Sequence, residues 1–270
     1  MENINSKRFL YRYYCKGDYI FDVLRNKRLY FCLPTEFKDP FDCRPLTSIS
    51  HNRVDNETWN RFLYCLAKFQ YSKKTESEIK KHANAAFAKK LHRNHLWLRE
   101  TDNYLMKRKS PIRVCCFTKS PRNMVMWEHY ANNHKGVVFQ FRKSSLNDAV
   151  TGQFRGQEVR YIPGALGVKD YLDSLEKGIQ GDALAMAHMI YSTKSREWVY
   201  EDEVRFFTKQ TRHYVSFDKE SLSGIILGAK CSVNFRKTVR QAISRWEIKP
   251  RLYQASIEKS THKLWINSFI

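Results

Sequence analysis

Two glutamates one residue apart concentrate the chemical potential of this chain. Glu201 and Glu203 lie in the run Trp198-Val199-Tyr200-Glu201-Asp202-Glu203-Val204-Arg205-Phe206-Phe207. Its flanks alternate polar and apolar residues and are rich in aromatic and β-branched types, which predicts a β-strand. On a strand the two carboxylates project from one face, ~7 Å apart at about 3.3 Å per residue. One of them can stabilise a developing cation or hold a hydroxyl while the other orients or activates a nucleophile. A plainer reading is a solvated strand face with Arg205 as a neutralising partner. Both stand at this point.

Other reactive side chains are sparser. His129 and His134 are five residues apart, which straddles a turn and disfavours a zinc pair. Structural roles suit both, and His129, beside Trp127 and Tyr130, is the better placed to contact a ligand. Asp39 and Asp42 flank Pro40 in a loop and suit capping and turn formation. With the glutamate pair and a divalent ion they would make a nuclease, but no Glu-x-Lys strand accompanies them. No Gly-x-Gly-x-x-Gly, Walker or Gly-x-Ser-x-Gly pattern occurs. Seven cysteines, irregularly spaced and without a Cys-x-x-Cys pair, fit reduced thiols in a cytoplasmic protein better than a disulfide framework.

These residues need elements to hold them. Strands are expected at Phe9 to Tyr14, Leu29 to Leu33, Ile112 to Thr118, Val137 to Phe141, Gly224 to Gly228 and Arg251 to Ser256. From Asn56 to Lys109 the period turns helical, with Trp59, Phe62, Leu63, Leu66 and Phe69 in one stripe. Further helices are expected at about Glu76 to His92, Tyr171 to Tyr191 and Asn234 to Trp246. Strands towards both ends with helices between them predict an α+β fold with a split antiparallel or mixed β core. The 270 residues read as one domain, 1–270, with a basic helical insertion at about 55–110.

Charge narrows the partners. Against 27 acids stand 48 Lys and Arg, a net charge of +21, which favours a polyanion and nucleic acid above all. Basic residues gather at Lys73 to Arg113 and Lys209 to Lys263, twelve against four acids in each. A solvated helix face explains the first stretch as well as a binding helix does. No apolar run approaches the ~20 residues of a membrane-spanning helix, and Met1-Glu2-Asn3-Ile4-Asn5 lacks a secretory pattern. A cytoplasmic protein without a membrane partner is expected.

Four segments carry a resemblance. They are Leu10-Tyr11-Arg12-Tyr13; Phe37-Lys38-Asp39-Pro40-Phe41-Asp42; Cys116-Phe117-Thr118 with Met126-Trp127-Glu128-His129-Tyr130-Ala131 and Gly136; and Trp198 to Arg205. Their order resembles a large, mainly bacterial family built on a domain of unknown function. Arg12, then Thr118 at a strand end, then Glu201-x-Glu203 is also similar to the Arg–Ser–Glu arrangement of the ADP-ribosyltransferases. Thr118 stands where Ser is commoner.

That second resemblance implies the fold of that superfamily, with NAD as substrate. It implies Glu203 as the catalytic carboxylate at the ribose, stabilising the charge of nicotinamide–ribose cleavage. Glu201 would orient or deprotonate the acceptor, Arg12 would neutralise the pyrophosphate, and Thr118 would support the nicotinamide ribose. Tyr13, Phe41, Trp127 and Tyr130 would supply rings around the nicotinamide, with His129 beside them. The positive charge would make the acceptor a nucleic acid, RNA first, and a toxin or phage-defence effector with an antitoxin partner would suit such chemistry. Two readings from other classes stay open: a non-catalytic nucleic-acid-binding protein using the two basic stretches, and the metal-dependent nuclease.

Overall fold

Side-chain alternation along Phe9–Tyr14 organises the larger half of the molecule. In the computed structural model, residues 8–15, 17–37, 39, 42–43, 54–108, 112–150, 156–163, 168–179, 191–208, 212–258, 260–261 and 263–268 are described. Phe41 lies outside them, as do residues 180–190 of the expected helix ending at Tyr191. The chain divides into two compact units: residues 1–32, 113–158 and 199–270, and residues 33–112 and 159–198.

The first unit contains β1 (Phe9–Tyr14), α1 (Asp18–Asn26), β2 (Arg28–Tyr30), β3 (Arg113–Thr118), α5 (Met124–Tyr130), β4 (Val137–Arg142), α6 (Lys143–Val150) and β5 (Gln157–Glu158). After these come β8 (Glu203–Thr208), β9 (Tyr214–Ser216), β10 (Leu222–Leu227), α8 (Val233–Ser244), β11 (Arg251–Glu258) and β12 (Lys263–Ser268). Eight strands form one sheet in the order β12-β11-β10-β4-β1-β3-β8-β5. Every pair is antiparallel except β10 with β11. The chain is thus α+β with a large mixed sheet.

Both faces of this sheet are covered. Leu10 and Tyr14 point to one side with Phe117, Phe139, Phe141, Val204 and Phe206. Helices α1 and α8 close that side through Ile20, Val23 and Leu24 and through Phe235, Val239 and Ile243, each set at helical spacing. Ser232 starts α8 by accepting the Phe235 amide at 3.3 Å. Tyr11 and Tyr13 point to the other side, where Met126 and Trp127 of α5 pack on Val138, Ile226 and Ala255.

The second unit holds α2 (Asn56–Gln70), α3 (Glu76–Ala88), α4 (His95–Arg108), α7 (Val168–Ile179) and a parallel pair, β6 (Arg160–Ile162) with β7 (Thr193–Ser195). The predicted stripe is its core: Trp59, Phe62, Leu63 and Leu66 are buried with Ile79, Leu98, Leu172 and Leu175. Asp55 and Thr75 cap α2 and α3, which cuts the long periodic stretch into separate helices. The predicted insertion falls in this unit, which also takes in 33–54 and 159–198. No helix among the described residues is long and apolar enough to cross a membrane, and all seven cysteines are free.

One predicted strand is shorter than its pattern. Trp198 to Phe207 was expected to run as one strand, yet a 3-10 turn, Arg196–Glu201, precedes β8. Asp202 at φ 42° breaks the alternation, in the left-handed region that Asp tolerates better than most side chains. The sequence also gave no warning of β12, whose pattern of mixed polar and apolar residues is that of an exposed edge.

Candidate functional site

Three strands far apart in sequence are neighbours here: β1, β3 and β8. Tyr11 stands opposite Thr118, and Thr118 opposite Glu203. Opposed residues of a ladder share a face, so Tyr11, Thr118 and Glu203 form one transverse row. Through Gln140, Gly224 and Arg251 the row continues across β4, β10 and β11.

Glu203 opens β8 with 5% of its surface exposed. Arg205, two residues on and therefore on the same face, is fully buried and grips it bidentately, Nε to Oε1 at 2.9 Å and Nη2 to Oε2 at 2.8 Å. The solvated strand face is therefore incorrect, whereas Arg205 as the neutralising partner is right. Cys116 stands opposite Arg205. Burial first, and the Glu203 charge second, push its thiol well above the ordinary range.

Glu201 does not share that face by strand alternation, because it lies in the 3-10 turn. Its Oε1 accepts the Tyr130 hydroxyl at 2.5 Å. Between the two glutamates, the backbone oxygen of Asp202 accepts the Lys119 amide at 3.1 Å, and its carboxylate meets Lys119 Nζ at 3.2 Å. Lys119 also reaches Glu158 at 3.0 Å. This knot fixes the entry to β8 directly beside Thr118.

The remaining predicted residues divide into those near this row and those away from it. Thr118 is 2% exposed, and its Oγ1 accepts the Ser120 amide at 3.3 Å. Tyr13 donates its hydroxyl to the Ser120 carbonyl at 3.1 Å and meets Trp127 edge-on at 5.4 Å. Trp127 is wholly buried, its indole donating to the Pro121 carbonyl at 2.8 Å and its rings stacked on His134. It is packing beneath the loop and has no open face for a nicotinamide ring. Tyr130 is half-buried, and exposed His129 meets Tyr200 edge-on at 6.4 Å.

Arg12 is not brought to the row. Alternation along β1 sends it to the opposite face, where it bonds Cys115 Sγ, donates to the Tyr30 carbonyl at 3.4 Å and lies over the Phe117 ring. A guanidinium on that side cannot meet a ligand that Glu203 touches. The motif Leu10-Tyr11-Arg12-Tyr13 offered two faces, and the tyrosines occupy the relevant one. Tyr11, absent from the sequence-based candidates, is fully buried in the row, and burial raises its phenol to about 12.

Residues 126–206 match the model of a family described as protein of unknown function (DUF2971). The matched stretch runs from α5 through β4 into β8. It contains Trp127, His129, Tyr130, Glu201, Glu203 and Arg205, but neither β1 nor β3. It covers less than a third of the chain. No curated protein and no solved structure matches the chain.

Chemically, the row offers an oriented carboxylate on a residue opposite a threonine, in surroundings from which water is largely excluded. An arginine fork holds both Glu203 oxygens and fixes the carboxylate's orientation.

Proposed function

We propose that the Thr118–Glu203 row is the site of an ADP-ribosyltransferase-like enzyme that takes NAD as substrate. One observation carries this reading: β1, β3 and β8 lie side by side, with Thr118 the ladder partner of Glu203 on one face of the sheet. That is the juxtaposition the resemblance requires of strands separated by most of the chain. NAD would supply a nicotinamide leaving group on a ribose carbon that becomes positive as the bond breaks. Glu203 would accept a ribose hydroxyl and oppose that charge, more strongly in a buried site than in water. Arg205 would keep the carboxylate ionised and in one rotamer. Tyr130 would hold Glu201 towards the acceptor.

The fit is partial. Arg12 does not serve the pyrophosphate, because it faces the opposite core. A cation on the Tyr11–Thr118–Glu203 side must do so, and exposed Arg122, four residues beyond Thr118, is the candidate, because Lys119 and Arg205 are already held by carboxylates. Little of Glu203 is open to solvent, so entry of a substrate requires its cover to move.

A second reading rests on the same pair. A buried glutamate held bidentately by a buried arginine is also what a structural ion pair looks like. The protein would then be a binder whose work is done elsewhere. Mass spectrometry of free nicotinamide after incubation with NAD separates the two. Release by the wild type, lost in Glu203→Gln and reduced in Thr118→Val, supports the transferase, provided both variants melt cooperatively. Intact NAD with folded wild-type protein supports the binder.

A further inference from the structure

Over the same face of the sheet as the row, on the side of β4, β10, β11 and β12, lies a cleft of about 1410 Å³. Five exposed cations line it: Arg8, Arg122, Arg142, Arg251 and Lys263. No described carboxylate does. Register places Arg142 opposite Phe9 and Arg251 opposite Gly224, so both side chains leave the sheet on the cleft's side. Arg122 follows β3, close enough for its charge to act on the Tyr11 phenol. Like charges gathered around one opening repel each other, and an anion within it removes that penalty.

The cleft also has flat apolar surfaces and a polar floor. Phe9 and Tyr253 are half-buried along it. At the floor Gln140 donates to Tyr11 Oη at 3.2 Å and accepts from Ser223 at 3.2 Å. Gly224 allows this arrangement. A Cβ there would come within 2.6 Å of Gln140 Oε1 and 2.9 Å of the Tyr253 ring. Any other residue would push the amide and the ring away from each other.

We propose that this cleft binds a single strand of nucleic acid, with phosphates on the arginines and bases against the aromatic side chains. Three features select that ligand. The volume exceeds the roughly 300–1,000 Å³ of a small-molecule site. Five cations exceed what one dinucleotide needs. Alternating cations and rings suit unpaired bases, since a duplex keeps its base faces stacked within the helix. This assignment does not depend on the chemistry at Glu203.

Fluorescence anisotropy with oligonucleotides of about twelve nucleotides tests it, a length within the usual single-strand site size. Single-stranded RNA, single-stranded DNA and the matching duplexes are titrated at several salt concentrations. Wild type is expected to prefer single strands. The double variant Arg122→Glu/Arg142→Glu should raise Kd at least tenfold and flatten the salt slope by about 2. Tyr253→Ala should weaken binding about 5- to 150-fold with the slope unchanged, and Tyr253→Phe should restore it. Tighter binding of RNA or of DNA supports the proposal equally. Wild-type affinity in the double variant, with its thermal transition intact, overturns it, and so does a preference for duplex.

Discussion

Arg205 and Glu203 show how a single pair constrains both stability and chemistry. Removing one member of a buried pair leaves an uncompensated charge, so Arg205→Ala should cost about 3–5 kcal/mol in urea unfolding. Asp22 and Arg28 pair at 2.8 Å with both side chains partly exposed, and Asp22→Asn should cost about 0–1 kcal/mol. Equal losses would mean that the Glu203 pair is not buried as described. His134 gives a pH signature. It is 6% exposed, its Nδ1 has no hydrogen-bond partner among the described residues, and burial, aided by Lys230, lowers its pKa. The fold thus favours the neutral ring, and the unfolded chain takes up the proton first. The His134 contribution is intact above the ordinary histidine pKa of about 6.5 and is lost as pH falls through it. The melting temperature of His134→Phe should fall less than that of wild type between pH 7.5 and 5.5. Parallel falls would show that His134 does not titrate differently in the two states.

Elements position these residues by means that were only partly visible in the sequence. A period of 3.6 marked the α2 stripe, which buries one face in one core. Runs of aromatic and β-branched residues marked β1, β3 and β4, whose two faces are both covered. Which face of β1 mattered was not legible. Both Arg12 and Tyr11 belong to the alternation, and only pairing with β3 and β4 assigns them. The neighbourhood of β1, β3 and β8 was legible only through the resemblance, since pairing over such separations leaves no local trace. The turn before β8 was hidden because Trp198 to Phe207 alternates smoothly through a residue that the structure holds at φ 42°. Asp202→Gly should therefore be tolerated, while Asp202→Val should cost about 1–2 kcal/mol by placing a β-branched side chain in the left-handed region. Identical stabilities of the two variants would argue against that conformation. Trp127→Ala, which empties the core under α5, should cost about 3–5 kcal/mol in the same unfolding assay.

For the whole molecule, a net charge of +21 is a statement about partners more than about fold. The structure turns part of that charge into geometry by gathering five cations around one cleft on the sheet face that also carries Thr118 and Glu203. A polyanion held in the cleft would lie on the same side of the sheet as the proposed chemistry, which makes a nucleic acid the natural acceptor of a transferred ADP-ribosyl group. The most direct test incubates the protein with NAD labelled in its ADP-ribose portion and single-stranded RNA, then follows the label. Label on RNA with wild type, absent with Glu203→Gln and reduced with Arg122→Glu/Arg142→Glu, is the predicted result. NAD left intact by folded protein that binds the RNA would contradict the transferase and leave a binding protein whose buried glutamate serves the fold.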